Sequence, residues 1–541
     1  MTMKYDQSAE VLKQAAAASQ RATLHGILVA NRDTLYGREH CFHAIVDEEG
    51  FQTRVPLNPY QNLEPYITKI KEGAENVLFK EPIKAFFETS GTASTPKLIP
   101  VTSSSIRDKI KAMNFYWSLV YQQFPELSKK KIISNFSSGA SFSYTERGIP
   151  ICSETDYWNL ITRNIKEPDR WPIIYEVLKI KEFETRYYLI ALLLLQDEVA
   201  AFMSPNPSTI LVLLQIIERQ FPDFIKDLYL GEVNPNVIPK GSLGSEIAGL
   251  LRPSVTRARH LDACLTSGGR ISFNKVWPTL TLYICWQSAM LKPYTDRLSS
   301  YLPNIDCWDH LYQASEAIIA IPNRPNERGG LLNMMGNFYE FIPYGDYEQC
   351  VSPLTIQKLV EGQRYEIIVT NFSGLYRYRI GDTIRVIEFE GGIPRVEFTG
   401  RTGKVCSMTG EKLTEEQVVQ AFESCKDALS HAPENYLVFP VDADLPHYGL
   451  IFGSDAPLGL EELHCFAREY EKQLRELNVE YRAKRESNRL SGIQVFVVEE
   501  NSPNWLQQAH GPATDQEKPV RLTNSFNEHE NHRIIGRVAT T

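Results

Sequence analysis

Short runs suited to burial in a sheet alternate along this chain with longer runs of helical period, and this alternation restricts the fold more than any other feature. Ile83-Lys84-Ala85-Phe86-Phe87 reads as a buried strand entering a turn, while Thr281-Leu282-Tyr283-Ile284-Cys285-Trp286 and Tyr365-Glu366-Ile367-Ile368-Val369-Thr370 are β-branched or aromatic strands. Helical segments are predicted over Ser8–Asn31 and over Ser208–Arg219, the second with Ser208 as its cap. Strands interleaved with helices argue for an α/β fold. No repeat at a fixed period is visible, which argues against a solenoid.

The pattern changes near residue 400. Thr383–Glu390 and Arg395–Phe398 alternate like a β-ribbon, with Glu390-Gly391-Gly392-Ile393-Pro394 as its turn. Beyond Gly400-Arg401-Thr402-Gly403 the spacing predicts a helix over Thr414–Asp427, strands at Tyr436–Pro440 and Tyr448–Phe452, a long charged helix over Leu460–Asn488, and a strand at Gln494–Val498. The expected organisation is a large N-terminal α/β domain, 1–399, and a small, mobile C-terminal α+β domain, 400–541. Glycines flanking Arg401 would permit a hinge.

Composition narrows the range of functions. The chain of 541 residues carries 57 Lys and Arg against 66 Asp and Glu, a net charge of −9. A nucleic-acid binder normally has a basic excess, so none is expected as a partner; ATP needs only a few local cations. The most apolar stretch, Tyr187–Leu195, is nine residues long, short of the ~20 needed to span lipid. The N-terminus, MTMKYDQSAEVLKQAAAASQ, lacks the apolar core of a signal peptide. Nine cysteines are scattered singly with no CxxC pair, as expected for reduced thiols in a cytoplasm. His40…His43 and His529…His532 have no second pair to complete a metal site. The expectation is a cytoplasmic monomer without a membrane partner.

Chemistry concentrates in five short stretches. Thr89-Ser90-Gly91-Thr92-Ala93-Ser94-Thr95-Pro96-Lys97 follows the first strand directly. Its small hydroxyl residues and glycine leave N–H and O–H groups to surround phosphate oxygens, and Lys97 adds a positive charge. It is not a Walker loop, since GxxxxGK[ST] is absent, and composition alone fits a solvated Ser/Thr loop equally. Leu311-Tyr312-Gln313-Ala314-Ser315-Glu316 places a carboxylate behind small residues, where it could ligate Mg²⁺, or else it is a helix start capped by Ser315. Gly374-Leu375-Tyr376-Arg377-Tyr378-Arg379-Ile380-Gly381-Asp382 sets Asp382 in a glycine turn, able to accept two ribose hydroxyls or to sit on a surface hairpin. Lys412 in Gly410-Glu411-Lys412-Leu413 and Lys518 in Gln516-Glu517-Lys518-Pro519 are lysines in Gly- or Pro-bounded loops. Each is either a solvated surface residue or a charge that swings against a phosphate.

In this order, FFETSGTASTPKLIPVT, YQASE and GLYRYRIGD, then a hinge and a late lysine, resemble the auxin-responsive promoter family of acyl acid amido synthetases. These are adenylate-forming enzymes of plants, with bacterial relatives. Asn31…Thr34-Leu35-Tyr36-Gly37, Val55-Pro56-Leu57…Tyr60, Trp277-Pro278 and FTGRTGKVCSMTGEKLTEEQV extend the likeness over residues 30–520. Thr89-Ser90 stands where plant members have Ser-Ser, and Gln313 replaces a small residue. Cys285-Trp286-Gln287-Ser288-Ala289 replaces the Thr/Gly-rich loop that borders the adenine in the family, and the tail beyond Lys518 does not match.

The resemblance implies a firefly-luciferase-like architecture and a two-step reaction. A carboxylate attacks the α-phosphate of ATP to give acyl-AMP and pyrophosphate, and an amine, commonly an amino acid, then displaces AMP. It implies ATP and Mg²⁺ as cofactors, with Ser90, Thr92 and Lys97 on phosphate oxygens, Glu316 on the metal and Asp382 on the ribose. Thr89, Gly91, Thr102, Tyr312, Ala314, Ser315 and Arg401 complete the nucleotide-binding set, and Lys412 and Lys518 are the candidate catalytic lysines, brought in when the small domain closes. Aromatic candidates for the acyl pocket are Tyr144, Tyr187, Tyr188, Phe202 and Phe338. Two other readings are an acyl-CoA ligase sharing the first step and a non-catalytic protein that retains acid and nucleotide.

Overall fold

The computed structural model describes residues 2–89, 97–134, 142–162, 175–178, 180, 182–235, 237, 249, 251–265, 271–288, 291–344, 352–401, 405–406, 408, 411, 413–433, 435–441, 443, 445–454, 458–486, 490–499, 520–523 and 534–540. They group into two compact units. One comprises Met1–Ser288, Tyr294–Ile380 and Ile384–Phe398; the other comprises Ala289–Pro293, Gly381–Thr383 and Thr399–Thr541.

Three sheets build the first unit. In chain order their strands are β1 (Ile83–Thr89), β2 (Lys97–Thr102), β3 (Ile132–Ser134), β4 (Ser143–Tyr144), β5 (Pro150–Cys152), β6 (Ala201–Met203), β7 (Leu282–Cys285), β8 (Asp306–Asp309), β9 (Tyr312–Gln313), β10 (Ile318–Ile321), β11 (Gly330–Leu332), β12 (Asn337–Pro343), β13 (Arg364–Asn371), β14 (Tyr378–Glu390) and β15 (Ile393–Arg401). The order β3-β6-β7-β8 is parallel throughout, the arrangement that helical crossovers require. Leu282 to Cys285 are accordingly buried without a break. A second sheet, β2-β1-β5-β4, places β1 between an antiparallel and a parallel neighbour. The third, β12-β13-β14-β15-β11-β10-β9, has seven strands.

Helices seal these sheets. The apolar Phe183–Leu195 helix is buried along Tyr187–Leu195 and packs with the Pro207–Arg219 helix in one core cluster. Ser208 is inside that second helix rather than its cap, because Pro207 takes the first helical position, where a missing N–H costs nothing. The Thr2–Asn31 helix is tied to β12 by Gln20, whose amide donates to Asn337 O at 2.8 Å and accepts from Tyr339 N at 2.8 Å. No helix among the described residues is long and apolar enough to cross a membrane.

In the second unit, β16 (Val405–Cys406) pairs with β17 (Leu413–Thr414). Thr414 then caps the Glu415–Cys425 helix in a reciprocal box with Gln417. A four-stranded sheet follows: β18 (Tyr436–Val441), β19 (His447–Ser454), β20 (Gln494–Glu499) and β21 (Ile534–Ala539). Alternation divides its side chains. Val438, Leu450, Phe452, Val495 and Val497 cluster with Phe422, Phe466 and Tyr470 from the helices, while Leu437, Phe439, Ile451, Phe496 and Val498 form a separate cluster. The long helix expected over Leu460–Asn488 is two helices, Leu460–Leu477 and Val479–Glu486. Asn478 breaks it with extended backbone: its amide donates to Glu411 O at 3.0 Å, and its Oδ1 accepts from Tyr481 N at 2.8 Å to start the next helix.

Candidate active site

The Ser/Thr/Gly loop hangs from a rigid strand. β1 is flanked on both sides, and Ala85, Phe86 and Phe87 are fully buried. Thr89 pairs with Lys97 in the antiparallel register that joins β1 to β2. Ser90, Gly91 and Thr92 lie outside the described residues, as do Lys412 and Lys518. Lys97 is half-buried, its Nζ 5.7 Å from the centre of the Tyr60 ring. Thr102 serves the scaffold. It is fully buried and N-caps the Ser103–Gln123 helix, accepting from Ser105 N at 3.2 Å.

The Tyr312–Glu316 stretch is the tip of a β-hairpin and not a helix start. β9 and β10 are antiparallel, and Ala314 and Ala317 exchange backbone hydrogen bonds of 2.8 and 3.1 Å, leaving Ser315 and Glu316 at the tip. The backbone of this tip is held from outside. Lys109 Nζ donates to Ala314 O at 3.3 Å and to Ser315 O at 3.1 Å, and Asn371 Nδ2 donates to Glu316 O at 3.0 Å. Tyr312 packs edgewise on Phe398 with ring centres 5.4 Å apart.

Lys109 was not evident from sequence. It is buried, paired with Glu154 at 2.6 Å, and its Nζ lies 5.2 Å from the Phe87 ring on β1. The strand that carries the Ser/Thr/Gly loop and the hairpin that carries Glu316 thus meet around one cation. Glu316, Lys109, Asp108, Asn333 and Asn371 line a small pocket partly open to solvent. Gly336, on its rim with φ +76°, is required there, because a Cβ would lie 2.3 Å from Asp108 Oδ2.

Asp382 is neither on a surface hairpin nor in a terminal turn. It lies within the continuous strand β14, is only 2% exposed, and follows Gly381, whose φ of +82° interrupts the strand without ending it. The arginines before it belong to the scaffold. Arg377 binds both oxygens of buried Glu340 and the carbonyls of Gln52 and Val55, and Arg379 binds Glu366 at 2.6 and 2.9 Å. Thr399 Oγ1 donates to Thr383 Oγ1 at 3.0 Å just beside Asp382. Arg401 ends β15.

The Cys285–Ser288 stretch, where the chain departs from the expected pattern, is anchored by Asp309. Its carboxylate accepts from Gln287 N at 3.1 Å and Gly329 N at 2.8 Å. Burial nevertheless pushes its carboxyl up to about 7, and burial lowers the adjacent His310 imidazole to about 4. Trp286 Nε1 donates to Leu311 O at 2.9 Å. The Gln287 side-chain Nε2 is buried without a hydrogen-bond partner among the described residues. Of the aromatic acyl-pocket candidates, Tyr187, Tyr188, Phe202 and Phe338 are core, with the Tyr188 hydroxyl on Asp227 at 2.8 Å, while Tyr144 is 62% exposed.

A large α/β unit and a smaller α+β unit have the architecture of an adenylate-forming enzyme, which activates a carboxylic acid as acyl-AMP. The sequence matches the GH3 family N-terminal domain over residues 6–307, its central domain over 330–401 and its C-terminal domain over 416–527. The chain therefore belongs to the GH3 family and is an ATP-dependent acyl acid amido synthetase. One relative is a jasmonoyl–L-amino acid synthetase of Nicotiana attenuata, 26% identical and aligned over 81% of this chain and 79% of that one. Another is a probable indole-3-acetic acid-amido synthetase of Oryza sativa subsp. japonica, 25% identical over 78% of this chain and 75% of that one. The solved GH3.15 acyl acid amido synthetase has the same fold, with a TM-score of 0.81 at 21% identity, covering 98% of this chain and 96% of that one.

Proposed function

We propose that this enzyme uses Mg²⁺·ATP to adenylate a small carboxylic acid with an apolar body and transfers the acyl group to an amino acid. The hairpin tip at Ser315–Glu316, fixed through three backbone carbonyls beside the end of β1, carries this reading. Among the described residues no group of three or more His, Cys, Asp or Glu could hold a metal unaided. Mg²⁺ suits such a place, since it is commonly held by one or two carboxylates together with substrate phosphates. When bound, it supplies charge neutralisation at the triphosphate, which lets two anions approach in line.

The chain's own residues do the rest. Ser90, Thr92 and Lys97 hold phosphate oxygens, with Thr89 and Gly91 shaping their loop; Glu316 takes the metal. Tyr312, Ala314 and Ser315 border the nucleotide, Asp382 accepts the ribose hydroxyls, and the Gln287 side-chain amide, whose Nε2 has no partner among the described residues, favours a polar base beside Cys285–Ser288. Lys412 or Lys518 adds positive charge at the forming adenylate when the small domain rotates about Gly400–Gly403, with Arg401 alongside the nucleotide, and closure keeps water from the adenylate. Relatives named for jasmonate and indole-3-acetate fit an acid with an apolar body.

ATP–pyrophosphate exchange over a panel of aryl, indole, alicyclic and fatty acids tests the first step. Mass spectrometry with amino acids or CoA as acceptors tests the second. The expected product is an N-acyl amino acid formed only with Mg²⁺ and ATP. A CoA thioester as the main product would overturn the acceptor, and no exchange with any acid would overturn the adenylation.

A further inference from the structure

A lysine ammonium has three N–H groups, and Lys109 gives one each to Glu154 Oε1 (2.6 Å), Ala314 O (3.3 Å) and Ser315 O (3.1 Å). Burying this cation is expensive, and a buried ion pair is often matched in stability by an apolar replacement of similar volume. Stability alone therefore does not call for a lysine here. Its placement does suggest a use. Lys109 is in the second turn of the Ser103–Gln123 helix, which continues directly from β2, and β2 is paired with β1. The cation is thus built onto the same hairpin as the Ser/Thr/Gly loop while it grips the carbonyls immediately before Glu316. Glu154 is held in turn, since Trp158 Nε1 donates to the same carboxylate oxygen at 3.1 Å.

We propose that Lys109 is a positioning residue for adenylation, locking the Ala314–Ser315 backbone to the β1–β2 hairpin so that Glu316 holds its metal at a fixed distance from the phosphate loop. The inference rests on the metal role given to Glu316 above. It follows from a division of labour at the tip: the Ala314–Ala317 bonds close the hairpin by themselves, so removing Lys109 leaves the hairpin formed and loosens only its anchorage. Loss of such an outer contact to a ligand typically weakens metal affinity by ~10–100-fold.

The test compares the full-length wild type with Lys109→Met, Lys109→Arg and the double variant Lys109→Met with Glu154→Leu. ATP–pyrophosphate exchange is titrated with Mg²⁺, and ATP binding is measured by calorimetry with and without Mg²⁺. In Lys109→Met the half-saturating Mg²⁺ should rise ~10–100-fold and kcat should fall. KM for the acid and metal-free ATP affinity should hold, and Lys109→Arg should recover much of the Mg²⁺ response. A Lys109→Met enzyme with the wild-type Mg²⁺ curve overturns the proposal, whatever its melting temperature. Should that variant not fold, the paired apolar replacement Lys109→Met with Glu154→Leu, which leaves no lone buried charge, decides, and a wild-type Mg²⁺ curve there has the same force. Wild-type exchange with unshifted variants defeats this inference alone, whereas no exchange by the wild type defeats it together with the adenylation reading.

Discussion

Asp309 and His310 are neighbours at the end of a buried strand, and burial acts on them in opposite senses. The Asp309 carboxyl, ordinarily near 3.8, is pushed up to about 7; the His310 imidazole, ordinarily near 6.5, is lowered to about 4. Asp309 is protonated in the fold where the unfolded chain is already ionised, so its contribution is intact below pH 4 and is lost as pH rises through 7. That loss is about 4 kcal/mol. His310 stays neutral in the fold where the unfolded chain takes up a proton, so its contribution is intact above 6.5 and is lost as pH falls through 4, about 3 kcal/mol. Between these two groups alone the slopes nearly cancel. Asp309→Asn should expose the histidine slope, so that unfolding free energy climbs by about 3 kcal/mol as pH rises from 4 to 6.5. His310→Asn should expose the aspartate slope, with stability falling by about 4 kcal/mol between pH 4 and 7. Urea titrations at half-unit pH steps give both curves. Fluorescence follows the unfolding through seven tryptophans, of which Trp308 adjoins Asp309 in sequence and Trp286 has its ring centre 6.0 Å from that of His310. The loss of one backbone acceptor in Asp309→Asn adds a constant offset and leaves the slope readable. If Asp309→Asn ran parallel to wild type across this range, its N–H donors would be holding the carboxylate ionised, and the burial argument would be wrong.

Three further outcomes follow from the same geometry. Arg377→Ala strands the Glu340 carboxylate, itself 1% exposed, and should cost ~3–5 kcal/mol of unfolding free energy; an unchanged urea midpoint would contradict the buried pair. Gly336→Ala places a Cβ at φ +76° against Asp108 and should destabilise by ~1–3 kcal/mol, with Gly336→Ala in an Asp108→Ala background recovering only the steric part of the loss. Asp382→Ala should weaken ATP binding by tenfold or more in calorimetry, because each ribose bond to a charged acceptor is worth ~1.5–3 kcal/mol; unchanged affinity would remove the ribose role.

The strands were legible because their apolar runs are too short for helices and too continuous for surface. Ile83–Phe87 and Tyr365–Thr370 both fall within observed strands. What the sequence hid depends on distant partners or on a single residue's geometry. Lys109 sits among Arg107, Asp108 and Lys111 in a stretch that reads as a solvated helix face, and its acceptors are 45, 205 and 206 residues away. Asn478 looks like one more polar residue in a charged helix until its contacts with Glu411 and Gln417 bend the chain. Gly381 suggested a turn, yet its positive φ is absorbed within β14, which continues for nine residues from Asp382 to Glu390.

The motifs themselves divide between chemistry and scaffold, and the division is not visible in the letters. In the Tyr376-Arg377-Tyr378-Arg379 stretch both tyrosines are fully buried, and both arginines are committed to Glu340 and Glu366. Arg377 even adopts φ +44° to reach its partners, a conformation that a non-glycine residue keeps only where its surroundings enforce it. Thr102 is similarly spent on a helix cap. A recurring string of residues can therefore mark a framework that holds one functional group in place. Here that framework leads to Asp382, which comes three residues after the last arginine and is held inside a strand instead of on a movable loop. As the proposed ribose acceptor, Asp382 would be oriented by its own strand before any nucleotide binds.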